Sequence, residues 1–128
     1  DNPNSYGNTY GEHREKLEFG EAQYKELFDF AKQLEITLFS TPFDLYSLDF
    51  LEKFDCPFYK VASSDITFME LIKKIAETGK PLIISTGYAG FDDIDRVLDT
   101  INFKNDVAFL QCSSVYPDEA NQINLTDN

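Results

Sequence analysis

Apolar positions recur along this chain in two alternating rhythms, and the alternation predicts its architecture. Tyr24, Leu27, Phe28, Ala31 and Leu34 fall at i, i+3, i+4 spacing, with Lys25, Glu26, Asp29 and Lys32 between them. That period predicts an amphipathic helix from Glu21, after a break at Gly20. Four short strand-like runs follow: Ile36-Thr37-Leu38-Phe39, Phe58 to Ala62, Pro81-Leu82-Ile83-Ile84 and Val107-Ala108-Phe109-Leu110. Helical periodicity between them predicts helices at about Leu45 to Phe54, Phe68 to Glu77 and Asp92 to Ile101. Gly79 fits a helix stop with Pro81 just beyond it, and Asp92 or a neighbour fits a cap. Phe28, Phe30, Phe50 and Phe54 sit at helical spacing and are expected in the core. Upstream, Asp1 to Gly11 reads as a loop, and Glu12 to Phe19 as more loop or a short helical turn.

The strand-like runs begin about 22 to 26 residues apart, the length of one βα unit with short loops. Near-continuous apolar strands alternating with helices predict a parallel sheet. A doubly wound sheet and a (β/α)8 barrel both satisfy this. Equal units, polar strand exits and no Gly-x-Gly-x-x-Gly fingerprint favour the barrel. A whole barrel takes roughly 250 residues. The expected fold class is therefore α/β, a partial (β/α)8 TIM barrel of about four parallel strands with intervening helices. Residues 1–128 would be its central part, truncated at both ends.

Each run ends in small polar residues: Ser40-Thr41, Ser63-Ser64-Asp65, Ser85-Thr86-Gly87 and Cys112-Ser113-Ser114. In a barrel these exits share one rim, the face that carries ligands. The second run also holds Lys60, and an ammonium is costly to bury unless it is paired. Thr41, Lys60, Ser63, Asp65, Ser85, Thr86, Ser114 and Tyr116 would make a cation, several hydroxyls and a carboxylate around one small anion bearing phosphate or carboxylate. Helix capping is the plainer role for each hydroxyl and for Asp65, and an ion pair for Lys60. A strand lysine also admits a Schiff-base aldolase, with Asp65 and the hydroxyls as proton relays.

The net charge of −12, from 23 acidic and 11 basic residues, argues against nucleic acid or an anionic membrane as partner. Two cysteines make no disulfide framework, and Cys112 reads as a packed thiol. No apolar run approaches the roughly 20 residues of a membrane span, and Asp1 to Tyr10 has no signal-peptide core. A cytoplasmic protein is expected. His13 stands alone in a charged stretch, so no metal site is expected from this chain's residues.

At these residues the chain resembles the sialic acid synthase family, barrel enzymes that condense phosphoenolpyruvate with an N-acylated amino sugar to make nonulosonic acids. The motifs that carry the resemblance are Tyr10-Gly-Glu-His-Arg-Glu-Lys-Leu-Glu18, Phe39-Ser-Thr-Pro-Phe-Asp44, Tyr59-Lys-Val-Ala-Ser63, Gly79-Lys-Pro-Leu-Ile-Ile-Ser-Thr-Gly87 and Leu110-Gln-Cys-Ser-Ser-Val-Tyr-Pro117. They run in order over essentially the whole chain.

The resemblance implies that Thr41, Lys60, Ser63, Ser85 and Ser114 bind phosphoenolpyruvate, with Lys60 an electrostatic clamp rather than a Schiff-base former. It implies that Asp65 and Tyr116 meet the amino sugar, and that Lys60 and Asp65 are the catalytic side chains. A divalent metal (Mn2+ or Mg2+) would polarise the sugar's open-chain aldehyde, held by histidines of later strands outside this chain. The C-terminal antifreeze-like domain would be missing, the full-length protein a homodimer, and the fragment alone inactive. Where the family has Ser-Gly-Glu this chain has Ser63-Ser64-Asp65, one methylene shorter, and Gln111 stands where a histidine is common. The alternatives are a legionaminic or pseudaminic acid synthase, the Tyr10 to Glu18 motif leaning away from the latter, or a non-catalytic barrel remnant.

Overall fold

A computed structural model of the protein describes residues 6–102, 104–113 and 115. The chain divides after Ile36 into two compact units. The first carries helices α1 (Tyr10–Leu17) and α2 (Glu21–Gln33). Helix α1 starts earlier than periodicity suggested because a capping box nucleates it. The Glu12 N–H donates to Thr9 Oγ1 (3.2 Å), and Glu12 Oε2 accepts from the N–H groups of Thr9 (3.2 Å) and Asn8 (2.6 Å). His13 Nδ1 accepts the Tyr6 N–H at 3.0 Å, and the two rings stack.

Helix α2 lies where the 3.6-residue period put it, yet neither helix has a buried residue. Phe30 is therefore not a core residue; it is 56% exposed. Phe28, Phe50 and Phe54 are only half-buried. Helical spacing marks an apolar stripe, but burial needs a second layer against it.

The second unit contains α3 (Leu45–Leu51), continued by a tight turn at Glu52–Phe54, then β1 (Tyr59–Val61), a tight turn at Ser63–Asp65, α4 (Met69–Glu77), β2 (Leu82–Ser85), α5 (Phe91–Ile101) and β3 (Val107–Leu110). The strands form a parallel sheet in the order β1-β2-β3. Successive crossovers of the usual right hand put α4 and α5 on one face. Tyr59, Val61, Leu82 and Ile84 point to that face and are fully buried with Leu48, Leu51, Leu71, Ile72, Ile75, Val97 and Ile101. On the other face Ala108 and Leu110 are exposed. The fold is thus α/β, a portion of a (β/α)8 barrel with three strands among the described residues.

The fourth expected strand, Ile36-Thr37-Leu38-Phe39, is not formed. This segment approaches the entry to β1, where Phe39 packs on Phe58 with ring centroids 4.4 Å apart and the Ser40 N–H reaches the Cys56 thiol. Apolar β-branched content favours a strand, but only a ladder of backbone bonds makes one. Among the described residues, no helix is long and apolar enough to cross a membrane.

Polar groups fasten the N-terminal end of the sheet. Tyr59, wholly buried, donates its hydroxyl to Glu52 Oε1. Lys80 Nζ reaches the same oxygen at 3.1 Å and lies over the Tyr59 ring. Burial pulls the Glu52 carboxyl upward, but the hydrogen bonds from Tyr59 and Lys80 and the Lys80 charge outweigh it and hold the group below its ordinary value. Burial, then the Glu52 carboxylate, push the Tyr59 phenol well above its usual range. Asn105 Nδ2 donates to the carbonyls of Ala76 (3.0 Å) and Lys80 (2.9 Å), joining the end of α4 to the entries of β2 and β3.

Two outcomes follow from these contacts. Gly79 holds φ +75° with open space where a Cβ would stand, so Gly79→Ala should cost about 1 kcal/mol by conformation alone and Gly79→Asn less; urea melts of both variants check this. For Glu52, a depressed folded value means its stabilisation is full above its ordinary value of 4.5 and is lost as pH falls through the folded value. Tyr59 works oppositely: its raised value keeps its contribution below pH 10 and loses it as pH climbs above that. Tyr59→Phe should cost about 1–2 kcal/mol at neutral pH and flatten both limbs of a stability–pH curve from urea midpoints, whereas unchanged limbs would dissociate the pair from stability.

Candidate functional site

The carboxyl ends of the three strands meet at one edge of the sheet. In the parallel register Lys60 stands opposite Ile83, and Ser85 opposite Leu110. Side chains alternate faces along a strand, so Lys60 and Ser85 lie on the same face, the one away from α4 and α5. Strand spacing and rise put their Cα atoms roughly 8 Å apart. Ser85 is the only buried polar residue among those described, at 4% exposure. Lys60 is half-buried and makes no ion pair or hydrogen bond among the described residues. By contrast Lys74 and Lys80 are both paired, to Asp49 at 2.6 Å and Glu52 at 3.1 Å. A snorkelling or ion-paired lysine is thus the role that Lys74 and Lys80 fill.

The exits of β1 and β2 are tied directly. Ser63 Oγ, in the turn after β1, accepts the Gly87 N–H at 3.1 Å. Ser63 keeps its own proton to donate elsewhere. Thr86, immediately after β2, donates both its N–H (3.1 Å) and its hydroxyl (3.0 Å) to the carbonyl of Leu110.

None of these hydroxyls caps a helix. The cap of α3 is Asp44, whose carboxylate accepts the Ser47 N–H at 2.6 Å and is held below its ordinary value by that bond. Helix α4 starts at Phe68 without a side-chain cap, and α5 starts at Gly90, whose N–H is taken by Asp93. Asp65 is not a cap either. Its backbone carbonyl accepts the Phe68 N–H at 2.9 Å, while its Oδ2 is buried with no hydrogen-bond partner among the described residues. A buried, unmatched acceptor is costly unless something brings it a donor.

Thr41 is half-buried ahead of the buried Pro42 and makes no hydrogen bond to the other candidates among the described residues. Ser114 and Tyr116 lie outside the described residues. Cys112 donates its thiol to Leu110 O at 3.3 Å, and Cys56 is buried, which pushes its thiol upward. Both cysteines are free, and at Cys56 burial outweighs the nearby Lys80 charge, which acts the other way. Among the described residues no three His, Cys, Asp or Glu side chains are grouped to hold a metal ion. The Glu52–Tyr59–Lys80 cluster escaped sequence reasoning, although a buried tyrosine calls for a partner at its hydroxyl.

Comparison with known proteins bears on the family of the chain. The model of the NeuB family matches residues 1–127. N-acetylneuraminate-9-phosphate synthase of Mus musculus is 37% identical over 122 residues, covering 94% of this chain and 34% of that protein. Pseudaminic acid synthase of Helicobacter pylori is 38% identical over 104 residues, covering 80% and 31%. The crystal structure of N-acetylneuraminic acid (sialic acid) synthetase from Leptospira borgpetersenii in complex with citrate superposes with a TM-score of 0.82 at 27% identity, over 93% of this chain and 43% of that one. The chain spans about a third of the length of the curated relatives it matches. With the family model matched over nearly all of its length, the chain belongs to the NeuB family.

Proposed function

We propose that this chain supplies the phosphoenolpyruvate side of a nonulosonic acid synthase site. The observation that carries the proposal is Lys60, an ammonium with no counter-charge among the described residues, on the sheet face it shares with Ser85. A fixed, half-buried cation beside hydroxyl donors suits a small, multiply charged anion, and charge-assisted bonds there are strong. Three further facts support it: the exit hydroxyls cap no helix, Ser63 retains a proton to donate, and one relative's structure holds citrate, another small polyanion.

In the proposed reaction C3 of phosphoenolpyruvate attacks the aldehyde carbon of an open-chain N-acylated amino sugar. Water adds at C2 and phosphate departs with its C–O bond broken. Lys60 neutralises the carboxylate and phosphate charge, and the hydroxyls of Thr41, Ser63, Ser85 and Ser114 hold its oxygens. Asp65 Oδ2, needing a donor, takes a hydroxyl or amide proton of the sugar, with Tyr116 beside it. The described residues do not fit the divalent metal that the family resemblance implies, so no step runs through one. N-acetylneuraminate-type products are favoured by the mouse relative, with pseudaminic or legionaminic acid as the second possibility. Cytoplasmic location and a homodimer complete the proposal.

Lys60→Met in the full-length protein should weaken phosphoenolpyruvate binding by about tenfold to a hundredfold, read by titration calorimetry; an unchanged affinity would remove Lys60 from the site. Borohydride should trap no adduct in the presence of substrates, and a stable adduct at Lys60 would convert the clamp into a Schiff-base lysine. Asp65→Asn keeps shape while removing charge. It should raise the KM for the amino sugar by about tenfold and leave phosphoenolpyruvate affinity within about twofold, and the reverse pattern would reassign Asp65 to the anion.

A further inference from the structure

We infer that Thr86 is a positioning residue for the anion site, acting through the exit of β2. The inference rests on the phosphoenolpyruvate site proposed above. Thr86 follows Ser85 directly, and its N–H and its hydroxyl both donate to the one carbonyl oxygen of Leu110, at 3.1 and 3.0 Å. A threonine hydroxyl has a single proton. With that proton on Leu110, Thr86 can offer an anion only lone pairs, so it is no ligand.

It is no helix cap either, since α5 begins at Gly90 and the Thr86 carbonyl is used by the Ala89 N–H at 3.0 Å. What Thr86 does is fasten the β2 exit to β3 one step past the last paired residues, Ser85 and Leu110. From the other side the next residue, Gly87, donates its N–H to Ser63 Oγ at 3.1 Å. The β2 exit is thereby held by both neighbouring strands. Because Ser63 Oγ is already an acceptor from Gly87, its remaining proton is the one available to point at a ligand, the polarity an anion requires. Losing the hydroxyl bond leaves the β2 exit held to Leu110 by the backbone N–H alone, which loosens the segment that carries Gly87 and with it the orientation of Ser63.

The test uses the full-length protein with phosphoenolpyruvate as the probe, comparing wild type, Thr86→Val and Thr86→Ser by calorimetry, thermal melting and steady-state kinetics. Valine matches the shape of threonine and keeps its N–H bond to Leu110 but lacks the hydroxyl donor; serine keeps both. Thr86→Val should raise the Kd and the KM for phosphoenolpyruvate by about threefold to tenfold, with kcat within about twofold and Thr86→Ser restoring wild-type values. Wild-type affinity in Thr86→Val would overturn the inference, as would a serine variant as impaired as the valine one, or a lowered melting temperature with Kd unchanged. If Thr86→Val does not fold, the smaller Thr86→Ala is read by the same titration. A wild-type protein that does not bind phosphoenolpyruvate would remove the underlying site and this inference with it, whereas binding that Thr86→Val leaves intact removes this inference alone.

Discussion

A parallel ladder crossed twice in the same sense can bury only one of its faces with its own helices, and the rest of the second unit follows from that constraint. Tyr59 and Val61 on β1 meet Leu82 and Ile84 on β2 in register, and all four disappear beneath the helical layer. Side-chain alternation then sends every intervening residue the other way. Lys60, Ile83, Ser85, Ala108 and Leu110 share the face the helices do not cover. A lysine is tolerable in the middle of β1 because it occupies that face. A one-residue slip in register would drive the ammonium into a fully apolar layer, at a cost no local contact could offset.

The two ends of the sheet handle polarity in opposite ways. At the entry end, charge and hydroxyl are matched: Lys80 and Tyr59 both meet Glu52, and Asn105 ties the end of α4 to the strand entries. At the exit end, Lys60 has no counter-ion among the described residues and Asp65 Oδ2 is buried without a donor. Stability is served by the first arrangement and reduced by the second. Unmatched polar groups at the carboxyl ends of parallel strands are where α/β folds place ligands, and a bound anion and sugar would supply what Lys60 and Asp65 lack.

The βα rhythm was legible because short apolar runs such as Leu82 to Ile84 recur between stretches of helical period. The exits were legible because Ser63, Ser85 and Thr86 interrupt such runs with small polar residues at equal intervals. Ile36 to Phe39 misled, since β-propensity reports what a residue tolerates and says nothing of whether a neighbouring backbone supplies hydrogen bonds. Phe30 misled likewise: its helical period is real, but period gives a direction and not a burial. The start of α1 was missed because the capping box of Thr9 and Glu12 is stronger than the Gly/Asn content around it. Glu52, Tyr59 and Lys80 come together from three separate segments, a contact no local pattern encodes.

An acidic chain and the proposed site for an acidic ligand involve no contradiction. The net charge of −12 belongs to the whole surface, where exposed charges are screened within about 8 Å at physiological ionic strength. Several of those carboxylates are also engaged locally, as Asp49 is with Lys74, Glu52 with Lys80 and Asp29 with Lys25. Lys60 acts over a shorter range and in a less polar setting, where a single charge a few ångströms away outweighs many screened ones. The distant negative surface slows the approach of an anion without changing what it meets on arrival. That separation of range is why the proposal rests on Lys60 and not on the overall charge.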